Sequence, residues 1–186
     1  HEDPRRQRQM CIRDRGYGSA MMWDISNGYA DGEDHGVFAS PKEHDVPELT
    51  PHPSFYHYYM YDKCFGDTYY ECPTDDPQLR VHASSFSSGE AGLVILNGSR
   101  KARTLEVELV NMGGARKAYQ YLVHNDDPLS RKTYINGETG PHAAGGPERY
   151  WKVPALSWPL DTNNLVVDCP PFSASYVLIE LSLIHI

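Results

Sequence analysis

From Gln78 to Leu181 the apolar residues alternate with polar ones or run almost unbroken, and turn-formers interrupt them every few residues. No other feature of the chain narrows its fold as much. "TLEVELV" (Thr104–Val110) places Leu105, Val107 and Leu109 on one face and Glu106 and Glu108 on the other. "QLRVHASSF" (78–86), "AGLVILNG" (91–98), "KAYQYLVH" (117–124), "RKTYING" (131–137), "NLVVDC" (164–169) and "SASYVLIEL" (173–181) complete the series. Asn97-Gly98, Gly113-Gly114, Asn136-Gly137 and Pro170-Pro171 mark turns between them. Short strands at this spacing, without helices between, predict a mainly β chain: an antiparallel β-sandwich of about seven to eight strands over residues 78–181.

Upstream the pattern differs. Ser19–Trp23 is a short apolar strand bounded by glycines, and Asp24–His52 is a long acidic loop rich in turn-formers. "HPSFYHYYMYDKCFGD" then reads as a helix. Pro53 stands at its first turn, Phe55, Tyr58, Tyr59 and Phe65 form an aromatic stripe that Tyr56 and Met60 widen, and Gly66 is placed as a C-terminal cap. One strand and one amphipathic helix cannot bury their own apolar faces, and a parallel strand needs cover on both sides. Residues 16–74 are therefore expected to be the last β/α unit of a truncated (β/α)8 barrel, a fold that repeats this unit eight times. "MCIRDR" (10–15) and "LSLIHI" (181–186) resemble translated sequencing-adapter sequence, so residues 1–15 are expected to be a non-native leader and 182–186 a non-native tail.

Charge and cysteine usage exclude several classes. The net charge is −8, and without residues 1–15 there remain 12 basic against 22 acidic residues. An acidic body lacks the basic face that nucleic acid requires, and suits a neutral or carbohydrate partner. No stretch reaches the length of a membrane span. Cys11, Cys64, Cys72 and Cys169 show neither metal spacing nor a CxxC pair, so thiols are expected, with a Cys72–Cys169 disulfide left open. Phosphate-loop, dinucleotide and nucleophile-elbow motifs are lacking, and no cofactor or metal is expected.

"HPSFYHYYMYDKCFGD", "RVHASSFSSGEAGLVILNGS", "PLSRKTYINGETGPHAAGGPERY" and "SASYVLIEL", in that order, resemble the C-terminal part of glycoside hydrolase family 86, the β-agarases and β-porphyranases, over roughly Gly18 to Leu181. The resemblance rests on an order of motifs. It implies a secreted enzyme that cleaves β-linkages in red-algal galactans with retention, using two glutamates near the ends of barrel strands that precede Ser19–Trp23. Neither glutamate would then lie in this chain.

The end of a barrel strand is where such folds carry function. Trp23 there is a candidate platform for a sugar ring, with Asp24, Asn27 and His35 as hydrogen-bonding partners for sugar hydroxyls. Glu33 and Asp34 are adjacent in an acidic loop and show no feature of a catalytic pair, and "DGEDHG" (31–36) does not match a calcium loop. Asn97-Gly98-Ser99 is a formal glycosylation sequon. The rival expectation is a non-catalytic module: a sandwich that binds carbohydrate through Tyr119, Tyr121, Tyr150, Trp151 or Trp158, or a structural sandwich on which the Phe55–Phe65 helix packs.

Overall fold

A computed structural model of the chain describes residues 25–26, 36–41, 43, 46–110, 115–160 and 162–181, apart from the side chains of 115, 116 and 181. The expected strand Ser19–Trp23, the leader and the tail lie outside them. Helix α1 spans Pro53–Cys64. The strands are β1 (Thr68–Glu71), β2 (Leu79–Ser85), β3 (Ala91–Asn97), β4 (Arg103–Glu108), β5 (Ala115–His124), β6 (Tyr134–Ile135), β7 (Leu156–Pro159), β8 (Asn164–Cys169) and β9 (Ser173–Leu181). The chain is mainly β, as its alternation requires, and its paired strands are antiparallel. No closed barrel is present among the described residues.

Seven strands form one sheet in the order β1-β2-β3-β9-β5-β6, and β7 pairs with β5 beside β6. Strands β4 and β8 form a separate ribbon. The strict alternation of β8, exposed–buried from Asn164 to Cys169, turns Leu165, Val167 and Cys169 inward. There they meet Leu93, Ile95, Val177 and Ile179 of the large sheet, with Leu105 and Val107 of β4 beside them. This is the interior of the sandwich.

The opposite face of the large sheet is apolar too, which is why β3 reads as a continuous run rather than an alternating one. Val94, Tyr121, Val123, Ala174 and Tyr176 lie on that face, and α1 covers them with Tyr56, Met60 and Cys64. The helix therefore centres its buried stripe on Tyr56 and Met60, with Phe55, Tyr59 and Phe65 partly buried beside them and Tyr58 turned outward. Tyr56, Met60 and Cys64 recur at four-residue spacing and are essentially inaccessible, whereas Tyr58 is 51% exposed. Gly66 is not an αL cap: α1 ends at an extended Phe65. Its lack of a side chain serves close approach, because a Cβ there would collide with the Ser85 backbone.

The hairpin at Ile135–Glu138 has the expected Asn-Gly chemistry, with positive φ at Asn136 (50°) and Gly137 (83°). Of the predicted strand 131–137 only Tyr134–Ile135 forms a strand, and Lys132 makes an isolated parallel bridge to Gly145. Strands β1 and β7 were not expected: β1 follows α1 and pairs with β2, and β7 edges β5. The described cysteines, Cys64, Cys72 and Cys169, are free thiols, so no Cys72–Cys169 disulfide forms. Asn97 is buried. Its amide nitrogen donates to the carbonyls of Lys101 (2.9 Å), Cys169 (2.8 Å) and Pro170 (2.9 Å), and its oxygen accepts from the Ser99 amide (3.0 Å). The sequon asparagine is a structural tie between two turns, with no amide hydrogen free for glycosylation in the fold.

Candidate functional site

Trp23, Asp24, Asn27 and His35 lie outside the described residues, as do Glu33 and Asp34. The structure does describe how the loop that carries Asn27 and His35 is held. The Ile25 carbonyl accepts hydrogen bonds from the amides of Val37 (3.1 Å) and Phe38 (3.0 Å), which brings the two ends of the segment 26–36 together. Below this closure Ala39 and Thr50, and Val37 and His52, are joined through their backbones at 2.9 Å. Phe38 packs on Phe55 of α1 with ring centroids 5.2 Å apart.

A buried polar chain fixes the base of the loop. His52 Nδ1 meets the Gly36 carbonyl at 2.8 Å, and its Nε2 meets Glu43 Oε2 at 3.1 Å. Both partners are acceptors, so each contact draws on a ring nitrogen as the donor. Glu43 is the one buried carboxylate among the described residues. The Arg131 guanidinium, from the β5–β6 connection, lies against its Oε1. A buried carboxylate persists only with such charge-assisted partners. Arg131 is thus the sandwich's hold on the loop. Sequence reading missed this chain because Glu43, His52 and Arg131 are scattered over 89 positions with no motif spacing.

A second link lies one turn along α1. The Tyr56 hydroxyl accepts the Gly146 amide at 2.8 Å, and a Cβ at Gly146 would press on the Tyr56 ring. Burial raises the Tyr56 hydroxyl pKa. Around it Phe55, Tyr59, Tyr150 and Trp151 form an edge-to-face aromatic cluster with centroids 4.8–5.0 Å apart. Further along the helix, His57 Nδ1 pairs with the Tyr176 hydroxyl at 2.8 Å, and burial lowers the His57 pKa while it raises that of Tyr176.

The sandwich aromatics do not all meet the expectation of exposure. Tyr121 is buried, with the Lys63 ammonium 4.4 Å from its ring centroid. Tyr150 is engaged in the aromatic cluster, whereas Trp151 is exposed. The Tyr119 hydroxyl donates to Glu180 at 2.8 Å. Trp158 packs partly on the sandwich core and lines a groove beside β8. No group of three or more metal-ligating side chains occurs among the described residues.

No protein-family model matches the chain, and no curated protein is similar to it. Solved structures are similar in fold. An arabinose-bound α-L-arabinofuranosidase of glycoside hydrolase family 51 matches with a TM-score of 0.52 at 18% identity, over 79% of this chain and 21% of that one. A bifunctional glucanase-xylanase from a metagenome library matches with a TM-score of 0.52 at 17% identity, over 74% and 24%. A glycoside hydrolase family 30 subfamily 8 xylanase from Clostridium acetobutylicum matches with a TM-score of 0.51 at 9% identity, over 80% and 32%. The chain thus spans about a fifth to a third of the length of these structures. Its helix-backed sandwich has the fold of a part of glycoside hydrolases.

Proposed function

We propose that the chain is the C-terminal part of a secreted, retaining glycoside hydrolase that cleaves β-linkages in a red-algal galactan such as agarose or porphyran. The observation that carries the hydrolase reading is the shared fold with portions of three glycoside hydrolases of differing named activity. The galactan rests on the ordered motifs that resemble family 86. In this reading α1 is the joint. One stripe is seated on the sandwich, and the other side, with Tyr58 and Tyr61 about half exposed, is left for preceding barrel units. The catalytic glutamates lie upstream, their carboxyls about 5–5.5 Å apart so that a glycosyl-enzyme forms and is hydrolysed. Trp23 stacks on a sugar ring, and Asp24, Asn27 and His35 bind its hydroxyls, on the loop that Arg131 tethers. The 186-residue chain alone is inactive.

The source nucleic acid, read upstream of Gly16, tests this. Further βα units with glutamates at strand ends, and reducing-sugar release from agarose or porphyran by the extended protein but not by this chain, are the expected results. A frame without such units, or hydrolysis by this chain itself, refutes the reading. One observation favours a second reading, a non-catalytic carbohydrate-binding or structural sandwich module: α1 buries its apolar stripe on the sandwich without help from a barrel. Retarded migration of this chain in agarose gels, with no barrel encoded upstream, is the result it expects.

A further inference from the structure

We propose that the groove between β7 and the outer face of β8 is a binding site for an uncharged oligosaccharide, with Trp158 as its stacking platform. The proposal rests on the reading of the chain as part of a carbohydrate-acting protein, and it does not depend on where the catalytic glutamates lie.

The groove has a volume of about 600 Å³. Trp158 stands opposite Ala118 in the β5–β7 pairing, so its indole lies on the sheet face that the ribbon covers. It sits at the margin of that cover. Part of the ring packs on the core, which fixes its orientation, and part lines the groove. A rigid aromatic face is what the C–H side of a pyranose packs on, at little entropic cost to the protein. Gln120, on the same sheet face, is held by the bond from its amide nitrogen to Ser175 Oγ at 2.9 Å. Asn164, Val166 and Asp168, the outward residues of β8, line the same groove. Asp168 is itself held by Thr104 Oγ1 at 2.9 Å.

One indole, two amides and a carboxylate, most of them already fixed, form the donor and acceptor set that ring hydroxyls satisfy. The same residues select against charge. No lysine or arginine lines the groove, and Asp168 repels an anion. An unsulfated stretch of a polysaccharide therefore fits, and a sulfated one does not.

The test is calorimetric titration of the 186-residue chain with a neutral agarose-derived hexasaccharide, with xylohexaose, and with a sulfated galactan hexasaccharide. The expected result is saturable binding of a neutral hexasaccharide and at least about tenfold weaker binding of the sulfated one. Trp158→Ala weakens the neutral ligand about tenfold or more. Trp158 also touches the core, so Val166→Arg supplies the second variant: Val166 is 53% exposed, and an arginine there fills the groove without disturbing packing. It gives a comparable loss, whereas Trp151→Ala stays within about twofold. Absence of binding by both neutral hexasaccharides, binding that Val166→Arg and Trp158→Ala leave unchanged, or preference for the sulfated ligand overturns the proposal. Binding of xylohexaose alone upholds the groove while removing support from the galactan reading. A barrel found upstream with no binding here overturns the groove and leaves the hydrolase.

Discussion

Met60 offers the sharpest test of α1 as part of the sandwich. Its side chain is fully inaccessible, between the large sheet and the Tyr56 and Cys64 positions of the same stripe. Met60→Ala removes the γ-methylene, the sulfur and the terminal methyl. At about 0.8 kcal/mol per methylene-sized group, transfer accounts for about 2.4 kcal/mol. The cavity left between helix and sheet raises the loss to about 3–4 kcal/mol, because strands that pair on both sides relax little. For a chain of this length that corresponds to a fall in Tm of about 6–16 °C. Tyr58→Ala is the comparison: two positions along the helix, on its outer side and half exposed, it costs clearly less than Met60→Ala. Urea unfolding followed by circular dichroism measures both. A loss below about 1 kcal/mol for Met60→Ala, or an equal loss for Tyr58→Ala, refutes the docking of α1 and with it the two-faced sheet.

Further outcomes follow from the polar ties. Asn97→Asp places an oxygen against the carbonyls of Lys101, Cys169 and Pro170 and lowers stability by about 3 kcal/mol or more in the same unfolding assay. Arg131→Ala leaves Glu43 buried with the His52 ring as its remaining side-chain partner; the half-exposed arginine limits the loss to about 1–3 kcal/mol, and hydrogen exchange speeds up at Val37 and Phe38. His57 titrates below its unfolded value of about 6.5 because burial disfavours the charged ring. The unfolded chain then binds more protons in the window below that value, so this contribution is full above about pH 6.5 and is lost as the pH falls; His57→Gln flattens that slope in stability measured against pH. Burial pushes the Cys64 thiol up to about 12 and that of Cys169 up to about 11. Iodoacetamide at pH 8 therefore modifies half-buried Cys72 well before either, as peptide mapping will report.

The strands were legible because their side chains carry the evidence locally. In β8 each inward residue is apolar and each neighbour is exposed, and the predicted bounds, 164–169, match the strand. Strand β9 was legible for the opposite reason: it is apolar without alternation from Tyr176 to Ile179 because both faces of its sheet are covered. Strands β1 and β7 left no such trace. Every residue of β1 is exposed, and β7 is a four-residue edge that ends in proline, so partner strands alone make them extended. The centre of the buried stripe of α1 was only partly legible because aromatic residues stand on all sides of the helix. Tyr58 and Tyr61 are as aromatic as Tyr56, and only the sheet decides which of them is covered. Within the candidate site, the loop closure at Ile25 and the Glu43–His52–Arg131 chain depend on contacts between distant residues, for which the sequence has no local sign.

The placement of β9 sets the timetable of folding. It is the last of the described strands, yet it lies between β3 and β5 in the middle of the large sheet. Until Ser173–Leu181 has left the ribosome, the hairpin of β2 and β3 and the unit built on β5 have no shared edge. Each waits with an open strand for a neighbour made roughly 50 to 75 residues later. Such distant pairing slows folding and keeps two sticky edges in solution during synthesis. A ribosome that stalls before residue 173 releases two half-sheets, and a chain that reaches residue 181 joins them in one step.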